Sequence, residues 1–136
     1  MSLSKLNPDI QILPTTPDMD IPVLLKARYP DMMENVYCGI YCPRGWVATV
    51  VGLCDVLVAM GFNGKVAQIK EKFGALRFYV DGATETEDSI ISEVEARTAK
   101  ICEECGCPGK LDKWGNKNWI RTLCETHGEE WANAKR

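Results

Sequence analysis

The sequence predicts an α+β fold: a buried central helix packed on a β-hairpin, then an amphipathic helix, then a C-terminal lobe on a treble-clef-like plan. Three observations predict it. Trp46 to Met60 is apolar nearly all the way round, which marks a helix inside a core rather than one lying on a surface. Residues 65–80 alternate apolar and polar side chains about a central Gly74, the pattern of two half-buried strands. Cys102 and Cys105, then Cys124 and His127, form C-x2-C and C-x2-H pairs, and a two-residue gap lets both donors of a pair reach one tetrahedral ion.

In chain order, Pro8, Pro14, Pro17 and Pro22 argue against a stable helix before residue 22, because each removes an N–H and pushes its predecessor toward extended backbone. Residues 1–22 form either an extended arm, with Ile10, Ile12 and Leu13 laid along a groove, or a loose tail. A short helix follows over Pro22 to Ala27, with Asp20 as its N-cap, and stops before Pro30. Asp31 to Asn35 adds a further turn. The central helix runs over Trp46–Met60 and ends at Gly61 in the C′ position. Asp55 is its one internal charge, expected at the solvent edge or paired.

The hairpin is expected over Val66–Lys70 and Ala75–Val80 with a four-residue connection, Glu71 to Gly74. Leu76, Phe78 and Val80 then face the helix, while Lys70, Arg77 and Tyr79 face outward. Thr84 and Glu87 form a capping box for the next helix. That helix has Ile90, Ile91, Val94, Thr98 and Ile101 on one stripe and runs into the first cysteine pair. A second hairpin, Lys110–Trp114 and Trp119–Leu123, leads to a final helix that carries Cys124 and His127 in its first turn. The domain reading is an arm (1–22), an α+β body (23–99) and a metal lobe (100–136), the lobe and body forming one compact unit.

Composition narrows the function. The chain has 136 residues, 46% of them hydrophobic, and a formal net charge of −3, enough to build a core and too mild to dictate a partner. No secretory signal and no run of about 18 apolar residues is evident. Seven cysteines without a signal fit a reducing cytoplasm, where thiols serve as ligands or core residues. One structural zinc ion is the expected cofactor, held by Cys102, Cys105, Cys124 and His127, with Cys107 as a spare thiol lining the turn. Four protein donors leave no position for water, which disfavours hydrolytic metal chemistry. With the single histidine committed to metal, none is left for acid–base or triad catalysis. Glu103 and Glu104, between ligands, are expected to be solvated. Cys38 and Cys42 read either as part of a second metal or redox site with Cys54, or as small buried thiols.

That leaves binding. Lys70, Lys72, Arg77 and Tyr79 on the first hairpin, and Lys110, Lys113, Lys117, Arg121 and an exposed Trp114 on the second, could contact phosphates and stack bases. They could equally be solvated edges that guard against aggregation, or anchors for a protein partner.

Gly45-Trp46, Gln68 through Tyr79 (QIKEKFGALRFY), and Cys102 through Gly109 with Arg121 through His127 together resemble a family of small bacterial and phage proteins whose activity is uncharacterised. The resemblance covers roughly residues 23–131. It implies the same four metal ligands and a phage or prophage setting, and brings no catalytic activity with it. The chain departs from the family in its proline-rich start and over Ile40 to Arg44, where the family has a more compact, acidic turn. In that setting a non-enzymatic protein acting on a host protein, such as an inhibitor of a host enzyme or defence complex, is the leading expectation. A small nucleic-acid-binding regulator is the alternative, and a carboxylate-based enzyme comes third.

Overall fold

The computed structural model describes residues 20–115 and 118–134 and has the predicted α+β architecture. Helix α1 (Ile21–Arg28) is capped by the Asp20 side chain, which accepts from Val23 N–H at 3.1 Å. It ends at Tyr29, just ahead of Pro30. The expected arm falls almost wholly on residues outside those described.

A 3₁₀ turn at Arg44–Trp46 feeds helix α2 (Val47–Ala59). Val47, Val50, Val51, Leu53, Cys54 and Leu57 of α2 are all buried, and Trp46 is wholly so, as an apolar circumference requires. Gly61 takes φ +83° just beyond the helix, a backbone state in which a β-carbon would be strained. Asp55 is partnered at one oxygen: Oδ1 accepts the Tyr29 hydroxyl at 2.7 Å, with Val51 O 3.1 Å from the same hydroxyl, while Oδ2 is buried without a hydrogen bond among the described residues. That contact ties α1 to α2.

Strands β1 (Lys65–Lys72) and β2 (Ala75–Asp81) pair antiparallel. Here the sequence expectation needs correcting, because the connection is two residues long rather than four. Phe73 (φ 54°) and Gly74 (φ 79°) both take positive φ and Lys72 pairs with Ala75, the geometry of a type I′ turn whose twist matches the flanking strands. Glu71 and Lys72 therefore belong to the strand. The Gly74 N–H is held by the Glu71 carboxylate at 2.7 Å.

A bulge between Val66 and Gln68 leaves Ala67 out of the β1–β2 register, and its carbonyl accepts Cys38 N–H at 3.0 Å. Ile40 bridges Ile69 in parallel, so residues 38–41 line the free edge of β1 through this isolated bridge and the flanking backbone bonds.

Helix α3 (Glu85–Thr98) has the predicted capping box, Thr84 Oγ1 accepting Glu87 N–H at 3.1 Å and Glu87 accepting Thr84 N–H at 2.9 Å. It lies along the free edge of β2, where its side chains take up outward-pointing strand N–H groups. Thr98 Oγ1 accepts Leu76 N–H at 2.9 Å and Glu95 accepts Phe78 N–H at 2.8 Å. Strands β3 (Lys110–Asp112) and β4 (Arg121–Leu123) pair antiparallel ahead of helix α4 (Glu125–Ala134). No helix among the described residues is long and apolar enough to cross a membrane.

Candidate metal centre

The cysteine turn after α3 is built by backbone bonding. Cys102 N–H donates to Cys107 O at 2.7 Å, Gly106 N–H to Cys102 O at 3.0 Å, and Ile101 bridges Pro108. Gly106 takes φ +81°, so the chain can double back and bring Cys102 and Cys105 side by side. From the other side, β4 delivers Cys124, and His127 follows one turn later in α4.

The four donor atoms, three Sγ and one imidazole nitrogen, all lie within 4.8 Å of one another and could hold a metal ion. His127 Nδ1 is 3.6 Å from Cys102 Sγ and 3.2 Å from Cys124 Sγ, and Cys105 Sγ is 3.9 Å from Cys124 Sγ. Cys102 is buried, Cys124 and His127 are half-buried, and Cys105 is exposed. Burial pushes the Cys102 thiol up, but backbone N–H groups of Cys124, Cys105 and Glu104 outweigh it and bring it down to about 7. A thiolate, the form a metal binds, is thereby favoured at Cys102, whereas the Cys105 and Cys124 thiols are raised, with the neighbouring thiols contributing.

Gly45-Trp46 and the tip of the first hairpin both meet the C-terminal lobe. Gly45 sits so close to the cysteine turn that an added β-carbon would clash with Cys102 O. Its N–H donates to Glu103 O at 2.7 Å, and Trp46 Nε1 donates to Ile101 O at 2.8 Å. The tip of the first hairpin docks on β4, with Thr122 Oγ1 donating to Gly74 O at 2.6 Å.

Glu103 is buried, which corrects the expectation that it is solvated. It accepts Thr122 N–H at 2.8 Å and Arg121 Nε at 3.2 Å, and Arg121 also reaches Glu104 at 3.0 Å. Burial raises the Glu103 carboxyl above its ordinary range, against the Thr122 N–H and the Arg121 charge.

The predicted binding residues separate into two groups. Lys70, Lys72, Arg77 and Tyr79 lie on the outer face of the first sheet, Lys70 directly opposite Arg77 and Gln68 opposite Tyr79. The second hairpin offers less. Arg121 is committed to Glu103 and Glu104. Trp114 is half-buried rather than exposed, its indole N–H donating to Arg121 O at 3.1 Å and its ring packed on Gly128. Lys113 is exposed and Lys110 lies over the Trp114 ring at 5.3 Å. Lys117 lies outside the described residues.

Sequence reading missed three exposed rings around the first hairpin: Tyr37 (65% exposed), Tyr41 (67%) and Phe73 (66%). Nothing in the local pattern shows that residues 38–41 add to the edge of β1. Among the described residues the metal-ligand cluster is that of Cys102, Cys105, Cys124 and His127. Cys54 is buried in the core, Cys42 packs against the same core, and Cys38 is exposed. No protein-family model, no curated protein and no solved structure matches the chain.

Proposed function

We propose that the chain is a non-enzymatic binding protein of phage or prophage type, its C-terminal lobe stapled by one zinc ion and its working surface the outer face of the first sheet. The observation that carries this reading is the contrast between the two sheet faces. Ile69, Leu76 and Phe78 of the inner face are buried, whereas Tyr41 and Tyr79 stand exposed on the outer one near Lys70 and Arg77, with Tyr37 exposed at the Asp81 end of the hairpin. Exposed tyrosines and arginines are the side chains that anchor macromolecular partners.

Zinc is supported by the donor set and its spacing. Tetrahedral zinc with bonds of about 2.3 Å to sulfur and about 2.0 Å to nitrogen sets its donors roughly 3.5–3.8 Å apart, close to the 3.2–3.9 Å of three donor pairs here, the whole set lying within 4.8 Å. Three thiolates and an imidazole close the shell, as in structural sites.

The zinc part predicts one metal per folded chain by elemental analysis, and folded metal-free protein would sink it. The surface part is tested by capture from host lysate. Tyr41→Ala together with Lys70→Ala should abolish recovery of the partner while zinc content and circular dichroism stay unchanged; undiminished recovery refutes it.

A second reading, docking of a host protein on the helices, is favoured by a groove of about 690 Å³ between α2 and α3. It is lined by Val56, Met60, Ile90 and Val94, and Glu93 and Arg97 pair at its rim. Val56→Glu would abolish capture in that case and leave it intact if the sheet face does the binding.

A further inference from the structure

The outer sheet face combines three features that a solvated edge does not require. First, Lys70 and Arg77 are direct cross-strand partners, and like charges placed opposite one another destabilise a sheet. Neither has a carboxylate partner among the described residues; the Arg77 guanidinium donates only to Leu76 O, at 3.1 Å. Second, rings run along this face, two of them next to the pair and one at the Asp81 end. The parallel bridge of Ile40 to Ile69 sets Tyr41 beside Lys70, Tyr79 follows Arg77 by two residues on β2, and Tyr37 reaches across to Asp81 at 3.4 Å. Third, Phe73 holds its ring in solvent at the hairpin tip with φ 54°. This is a left-handed conformation that glycine or asparagine adopts far more readily, and the Lys72 ammonium lies 5.7 Å from the ring. Strain held at an exposed ring calls for a functional reason.

We propose that this face binds single-stranded RNA. The cations answer the phosphates, and the row of rings supplies stacking platforms for about two or three bases, the mode by which open sheets take unpaired strands. Gln68, opposite Tyr79, spends its Nε2 on Cys38 O at 3.0 Å. Its carbonyl oxygen is left as an acceptor amid donors, and a ribose 2′-hydroxyl is the donor that DNA lacks. The carboxylate on this face, Asp81, lies at the far end of β2 against Tyr37, clear of the Lys70–Arg77 pair.

The assignment rests on the outer face being the working surface, and the test separates the two. Zinc-loaded full-length protein is titrated into a fluorescein-labelled uridine dodecamer, its thymidine counterpart and duplex RNA, with anisotropy as the readout, at low and rising salt. The uridine strand is expected to bind best. Tyr41→Ala and Tyr79→Ala should each weaken it about tenfold, with Tyr41→Phe restoring it. Lys70→Ala or Arg77→Ala should reduce the salt slope by about 0.7.

No binding at low salt overturns the proposal, as does equal binding of duplex or affinity untouched by these substitutions. Equal binding of the thymidine strand overturns the ribose assignment. If RNA fails while a protein captured from lysate is lost with Tyr41→Ala, the RNA assignment falls and the face stands as the working surface. If both fail, both fall.

Discussion

Arg121 and Glu103 show how a side chain's neighbours decide its role. In the sequence Arg121 belongs to a row of basic residues that could contact phosphate. In the structure its side chain is 16% exposed and that of Glu103 is 3% exposed, joined at 3.2 Å. Removing one partner of such a pair strands a buried charge, at a cost of about 3–5 kcal/mol. Arg121→Ala should therefore lower stability by roughly 3 kcal/mol in urea denaturation of the zinc-loaded protein. A loss below about 1 kcal/mol would show that Glu103 is satisfied without the guanidinium. The thiols sort in the same way. Burial pushes Cys42 up to about 12, and Cys54, wholly buried, is raised as well, whereas Cys38 and Cys107 are exposed. Since the thiolate is the reactive form, iodoacetamide at mildly alkaline pH should label Cys38 and Cys107 and spare Cys42 and Cys54. Prompt labelling of Cys54 by peptide mass spectrometry would mean that the core opens readily.

The elements themselves were largely legible in the sequence, and the reasons are local. The Asp20 cap, the Thr84–Glu87 capping box and the apolar circumference of α2 each act within a few residues of chain, so spacing alone exposes them. The docking of residues 38–41 on the edge of β1 was not legible, because the Ile40–Ile69 bridge joins residues far apart in sequence. The hairpin loop was read two residues too long because Glu71 and Lys72 are polar. Their side chains are accounted for by a hydrogen bond to Gly74 and by the neighbouring Phe73 ring, neither of which spacing reveals. Phe73 now carries a prediction that separates stability from binding. Left-handed backbone costs a β-carbon residue about 1–2 kcal/mol, and an exposed ring recovers little of that by packing. Phe73→Asn should thus raise the unfolding free energy by about 1 kcal/mol and weaken RNA binding. A variant that loses stability would show that the ring is held by packing on the neighbouring hairpin.

At the scale of the whole molecule, the metal lobe and the body are locked together at two points, and this decides what metal removal does. The cysteine turn carries Gly45 and Trp46, the residues that launch α2, through the Gly45 N–H to Glu103 O bond and the Trp46 Nε1 to Ile101 O bond. The hairpin tip is held by Thr122 Oγ1 on Gly74 O. The four candidate donors, which lie close together, could be read from their spacing, but these locks could not, since each joins residues distant in sequence through a backbone carbonyl. Zinc binding to a small structural site is worth about 10–16 kcal/mol, comparable to the entire net stability of a domain, about 5–15 kcal/mol. If the lobe supports the body, chelation removes more than the lobe can spare, and the loss travels through Gly45 and Trp46 into α2. Hydrogen exchange followed by mass spectrometry should then show the peptide over Val47–Ala59 losing protection together with the peptides over 100–134 when the metal is extracted, and Cys105→Ser should do the same without chelator. Gly45→Ala should reproduce part of the effect with the metal still bound, because the added methyl cannot fit against Cys102 O. Protection of α2 that survives metal loss would instead make the lobe a separate unit resting on an independently stable body.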